Sequence, residues 1–192
     1  IDTSKLLILG SGSVGRRELL NSVGLIPDRV EIPTVDESHK INESPRQYVS
    51  RVAYLKATAI SCEKSAYLVT ADTTVTVGKR LLIKTSDATI AEEYLKLLSG
   101  RRHNVFTAFC VKHNDHINLR LVKTVLKMRL LSDEEIKAYI ETKEWVDCAG
   151  AYSIQGRAKC FFSFISGCYS NVVGLPLPSL IGVLRKLGYY KK

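Results

Sequence analysis

Polar side chains stand beside apolar stretches at several points of this 192-residue chain: the cations Arg16, Lys56 and Lys84, the carboxylates Glu37, Asp72 and Asp147, and the amide Gln155. Cations gathered with carboxylates suit a phosphorylated ligand held through a divalent metal. Carboxylates bind Mg²⁺ or Mn²⁺ and position a water, while Lys and Arg neutralise phosphate oxygens. Other chemistries lack their residues. His39, His103, His113 and His116 show no metal-ligand spacing and read as solvated or turn residues, and no G-x-x-x-x-G-K-S/T stretch signals a P-loop. Cys148, flanked by Asp147 and small residues, is a candidate nucleophile, but no partner histidine stands near it in sequence.

The elements around these residues decide whether they can meet. Residues 5–10 (KLLILG) read as a strand, followed by the turn Ser11-Gly12-Ser13 and a helix over residues 16–23, an order that offers backbone N–H groups to an anion. Ser44-Pro45-Arg46-Gln47 is a helix start with Ser as N-cap, and the helix is expected to reach about Cys62. Val49, Val52, Ala53 and Ile60 repeat at helical spacing with Lys56 inside their stripe, so this cation must find solvent, a counter-charge or a ligand. Residues 67–71 (YLVTA) read as a buried strand with Asp72 at its end, the place where α/β enzymes carry metal ligands and bases. Thr73–Val77 continue in β-branched residues, and Gly78-Lys79-Arg80 turns the chain into residues 81–83, after which Lys84 follows.

Further on, Ser86 is expected to cap a helix that turns Ala91, Tyr94, Leu95 and Leu98 inward and stops at Gly100. Residues 105–112 and 117–130 read as long strands around an Asn114-Asp115 hairpin turn, and Ser132 opens a short helix through a capping box. The aperiodic, Gly-rich residues 145–157 have the character of a functional loop. A strand over residues 160–165 and a helix over residues 178–187 close the chain. The fold class is therefore α/β with a mixed, not purely parallel, sheet.

Composition narrows the class further. Apolar residues make up 45% and charged residues 24%, values of a folded globular domain, and the apolar runs are far shorter than the ~20 residues of a membrane helix. No export signal opens the chain and the 5 cysteines form no C-x-x-C pair, so a reducing, cytoplasmic setting is expected. The net charge of +9 invites a nucleic-acid reading, but the cations are scattered apart from Arg101-Arg102 and Lys191-Lys192, and small anionic substrates account for the charge as well.

Ordered blocks run nearly the whole length: residues 9–20 (LGSGSVGRRELL), Val35-Asp36-Glu37, residues 48–57 (YVSRVAYLKA), Ala71-Asp72-Thr73, residues 98–107 (LSGRRHNVFT), residues 147–156 (DCAGAYSIQG) and residues 171–177 (NVVGLPL). In these the chain resembles the Maf family of nucleoside triphosphate pyrophosphatases. The resemblance implies one domain over residues 1–192, with a twisted mixed sheet flanked by helices in two lobes around a central cleft, as in inosine triphosphate pyrophosphatases. It also implies metal-dependent cleavage between the α and β phosphates, giving a monophosphate and pyrophosphate, in a homodimer.

Carried over by the resemblance, Ser11 and Arg16 fall in a phosphate-binding loop, Glu37 on a metal-associated glutamate and Lys56 on a helix lysine. Asp72 falls on a general base or metal ligand, Lys84 on the lysine after the hairpin, and Gln155 on a residue of the branch preferring dTTP and UTP. The family opening S-x-S-P-R-R is Ser13-Val14-Gly15-Arg16 here, with Arg17 next and about 100° further round a helix. Cys148 and Thr85 also depart from the family pattern, standing for a lysine and a proline. The competing reading is a non-catalytic nucleotide- or nucleic-acid-binding homologue linked to division control and septum formation.

Overall fold

The computed structural model describes residues 5–190, so the Lys191-Lys192 pair lies outside the described residues. In chain order the elements are β1 (Leu7–Gly10), α1 (Val14–Ser22), β2 (Arg29–Val30), α2 (Pro45–Ala59), β3 (Tyr67–Val77), β4 (Arg80–Leu82) and α3 (Ala88–Leu98). They continue with β5 (Arg102–His113), β6 (His116–Met128), α4 (Asp133–Glu141), β7 (Phe162–Ser166), α5 (Tyr169–Val173) and α6 (Leu177–Lys186). The strands form one sheet in the order β2-β1-β3-β5-β6-β7, with β4 on β3. It is mixed, as expected: β1 runs parallel to β2 and β3, whereas β3–β4 and β6–β7 are antiparallel. No helix of the described residues is long and apolar enough to cross a membrane.

The chain divides into two compact units. The first comprises the residues up to Asp72, Thr107–Val122, and the residues from Gly174 onward; the second comprises Thr73–Phe106 and Lys123–Val173. In the first unit β1 is buried throughout, and Gly10 at its end lets neighbouring elements close in. A Cβ on Gly10 would meet the stiff Thr70 side chain at 2.6 Å and Ile60 at 2.8 Å. The Thr70 hydroxyl donates to the Ala53 carbonyl at 2.8 Å, tying β3 to α2. The hairpin turn Asn114-Asp115 has φ values of 50° and 64°, the left-handed pair a two-residue turn demands.

The second unit is built on a core of Leu95, Leu98, Leu126, Met128, Trp145 and their neighbours, with α3 packed against α4 and against the 3-10 helix Ala149–Ala151. The helix α3 shows the inward set Ala91, Tyr94, Leu95 and Leu98. Its N-cap is Asp87 rather than Ser86, because the Asp87 carboxylate accepts from the backbone N–H groups of both Thr89 and Ile90. Three other expectations are corrected. The helix α2 stops at Ala59, where Ile60 adopts an extended backbone, and does not reach Cys62. The strand expected from residue 160 begins at Phe162, after a 3-10 helix over Arg157–Phe161 that buries Ala158 and Phe161. His103 is neither solvated nor in a turn: it is buried, with Nε2 2.9 Å from the Tyr152 hydroxyl.

Candidate active site

Two cations of the first unit, Arg16 and Lys56, reach their places through local rules. Ser13 caps α1, its hydroxyl accepting from the Arg16 N–H, and this start turns the Arg16 side chain inward while Arg17 stays exposed. The Arg16 guanidinium is then fixed from two sides: Nε donates to the Gly174 carbonyl at 2.8 Å and Nη1 to the Ser11 hydroxyl at 2.9 Å. On α2 the capping box of Ser44 and Gln47 sets the helical phase, and that phase buries Lys56 among Val49, Val52, Ala53 and Ala57.

Asp72 does not end its strand. It lies inside the eleven-residue β3, in a buried polar row made with Thr70, Thr74 and Thr76 on one face. A carboxylate can occupy a strand interior here because Lys56 answers it: Nζ lies 3.1 Å from Asp72 Oδ1 and 3.0 Å from Glu37 Oε2. The other Asp72 oxygen, Oδ2, is buried without a hydrogen-bond partner. Glu37 comes from residues 31–44, which form no helix or strand, and its side chain is 42% exposed. The Tyr48 hydroxyl donates to the Glu37 carbonyl at 3.0 Å.

Two cations and two carboxylates thus share one site, and their charges act on Asp72 and Arg16. Burial pushes the Asp72 carboxyl above its ordinary range; Lys56 and then Arg16 pull it back, and Glu37 adds to the push. Burial pulls the Arg16 guanidinium below its usual value, against the charges of Asp72 and Glu37. Tyr48 is driven up to about 12, first by burial and then by Asp72 and Glu37, so it stays a neutral donor.

Among the sequence candidates, Ser11, Arg16, Glu37, Lys56 and Asp72 all belong to this first unit. Lys84 and Gln155 belong to the second, where both are exposed. Gln155 sits on a constrained loop. A Cβ on the neighbouring Gly156 would displace the Glu144 carboxylate, which accepts from the Arg157 N–H at 2.7 Å. Cys148 is no activated nucleophile. Burial pushes its thiol up, with Lys84 opposing, and Sγ points to the Glu144 carbonyl at 3.5 Å. Tyr48 escapes a reading of charges and spacing, although it lies two helical turns before Lys56 in the same stripe.

Among the described residues no group of three or more His, Cys, Asp or Glu could hold a metal alone. The pair Glu37 and Asp72 still suits one, because Asp72 Oδ2 is an unpartnered hard oxygen and Glu37 offers a second carboxylate across Lys56. Mg²⁺ is commonly held by one or two carboxylates, with waters and substrate phosphates filling the remaining positions.

Residues 6–187 match the protein family described as Maf-like protein. The chain is similar to a protein of Roseobacter denitrificans named dTTP/UTP pyrophosphatase, 43% identical over 184 residues, which cover 96% of this chain and 98% of that protein. It is similar to a dTTP/UTP pyrophosphatase of Cereibacter sphaeroides, 43% identical over 182 residues, or 95% of each chain. A nucleoside triphosphate pyrophosphatase of Rickettsia rickettsii is 42% identical over 189 residues, covering 95% of this chain and 88% of that protein.

Proposed function

The chain belongs to the Maf family, and from that premise we propose that it is a nucleoside triphosphate pyrophosphatase acting with a divalent metal on dTTP and UTP. The observation that carries this reading is the buried Arg16, Lys56 and Asp72 set with Glu37 beside it and Asp72 Oδ2 left open. Two cations against two carboxylates make the set formally neutral. A triphosphate therefore needs additional positive charge, which suits a divalent metal and the exposed Lys84.

Arg16, Lys56 and Lys84 bind phosphate oxygens through charge-assisted hydrogen bonds, and Ser11 orients Arg16 for this task. Lys56 holds Asp72 through Oδ1 and leaves Oδ2 for the reaction. Water oriented by Asp72 attacks the α phosphorus, its proton passes to the Asp72 carboxylate, and the bond to the α–β bridging oxygen breaks so that pyrophosphate leaves with the electron pair. A buried carboxyl with a raised proton affinity is a better acceptor than a free aspartate. Glu37 and Asp72 would hold the metal, which when bound neutralises phosphate charge and makes water more acidic. Gln155, with one donor and one acceptor edge, reads the pyrimidine.

Pyrophosphate release from dTTP, UTP, CTP, GTP, 7-methyl-GTP and ITP, each with Mg²⁺, Mn²⁺ or chelator, tests the proposal. Release concentrated on dTTP and UTP and lost with chelator is the expected result. Silence with folded protein and both metals, or release of orthophosphate instead, overturns it.

A further inference from the structure

Glu37 has an unusual support. Residues 31–44 have no regular backbone pattern to hold themselves, yet the carbonyls of three consecutive residues within them accept hydrogen bonds from one face of α2. Arg51 Nη1 donates to the Asp36 carbonyl at 3.4 Å, Tyr48 Oη to the Glu37 carbonyl at 3.0 Å, and Arg51 Nη2 to the Ser38 carbonyl at 2.8 Å. The Arg51 fork is itself aimed by Glu43, which takes Nε at 2.6 Å and Nη2 at 2.8 Å. This pair is 19% and 9% exposed, so water competes with it little. The guanidinium also lies 5.8 Å over the Tyr48 ring.

The Glu37 carboxylate cannot set its own position, because at 42% exposure it is free to exchange Lys56 for water. We propose that Arg51 is a positioning residue of the active site: it fastens residues 36–38 to α2 so that Glu37 meets Lys56, and Glu43 orients it for that role. The inference rests on the pyrophosphatase reading and adds to it a residue acting through Glu37 rather than on the substrate. A lysine cannot take its place. The task needs Nε, Nη1 and Nη2 in a fixed plane reaching separate acceptors, and an ammonium is a single point donor.

The test compares Arg51→Ala, Arg51→Lys, Glu37→Gln and the double variant Glu37→Gln/Arg51→Ala. Both Arg51 variants should lower kcat for dTTP by about 10- to 100-fold, the loss typical of a catalytic group displaced by about 1 Å, with KM changed much less. The double variant should be no slower than Glu37→Gln alone, within about twofold, because the two residues act through one carboxylate. Trypsin cleavage after the exposed Lys40 supplies a readout free of turnover, and Arg51→Ala should speed it at least about fivefold by releasing the segment.

Losses that multiply in the double variant, or Arg51→Ala turning over like wild type, overturn the proposal. If Arg51→Ala does not fold, Glu43→Gln carries the same expectations through the misaimed fork. If wild-type protein itself releases no pyrophosphate, the functional reading fails. Cleavage at Lys40 then still decides the fastening: unchanged rates in Arg51→Ala and Glu43→Gln overturn it, and faster ones uphold it.

Discussion

Lys56 and Asp72 meet at 3.1 Å with side chains only 7% and 4% exposed, so each must satisfy the other's charge where water does not. Removing one partner of such a pair strands the other, at a cost of about 3–5 kcal/mol, whereas a neutral isostere keeps the hydrogen bond and loses the charge. That asymmetry separates chemistry from stability at this site.

Asp72→Asn should therefore keep the fold and lose the reaction. An amide still accepts from Lys56 but takes no proton, and loss of a general base lowers kcat by about 10²–10⁴-fold. Circular dichroism and pyrophosphate release on the same sample check this. Turnover at the wild-type rate would end the assignment of Asp72.

Lys56→Met should move the acid limb of the pH–rate profile. Lys56 pulls the Asp72 carboxyl down from where burial has pushed it, so removing Lys56 raises the Asp72 pKa further. The base must be ionised, and activity falls as pH drops through its pKa; the limb thus shifts to higher pH in the variant. An unmoved limb, with activity still measurable, would mean that another group sets it.

Gln155→Ala should flatten base preference without removing catalysis. The ratio of kcat/KM for dTTP over CTP is expected to fall by about 10-fold, the value of one to two kcal/mol of lost hydrogen bonding. An unchanged ratio would remove Gln155 from base selection.

Gly156→Ala should destabilise the second unit by about 0.5–1.5 kcal/mol, because the new Cβ pushes the Glu144 carboxylate aside and breaks its hydrogen bond from the Arg157 N–H. Adding Glu144→Ala should recover part of that loss in a thermal melt. Strictly additive losses would show that the clash is not the cause.

His103 gives a pH prediction for stability. Burial holds its pKa down at about 4, against 6.5 for a free histidine, so between these values the unfolded chain takes up a proton that the folded chain refuses. Its contribution is complete above pH 6.5 and is lost as pH falls towards 4, a change on the order of 3 kcal/mol. In melts from pH 7 to pH 4.5, His103→Gln should lose less stability than wild type; parallel curves would refute this.

Much of this architecture is written locally. Ser44 and Ser132 both close capping boxes where the pattern places them, and the inward set of α3 follows from its spacing alone. What escapes the pattern depends on tertiary partners. A carboxylate inside a β-branched run reads as a strand end until Lys56 neutralises it, which is why Asp72 lies in mid-strand. His103 reads as polar and is instead enclosed with Tyr152. Ser86 reads as the cap of α3, but the carboxylate of the adjacent Asp87 reaches two N–H groups and takes the position. The two-residue β2 has no periodicity to detect. The charges of the site were legible as residue types, but the fastening by Tyr48 and Arg51 was not, because its acceptors are backbone carbonyls, which every residue has.

The interior position of Asp72 also bears on how this chain can change over evolutionary time. Side chains in β3 alternate between faces, so gaining or losing a single residue before Val69 within the strand would exchange the row of Thr70, Asp72, Thr74 and Thr76 for the row of Val69, Ala71, Thr73 and Val75. The charge would turn away from Lys56 in one step, with no intermediate register. Strand β3 is thus bound by parity, open to substitution but able to take a one-residue insertion before Asp72 only where a bulge absorbs it, and its length is inherited with the candidate site.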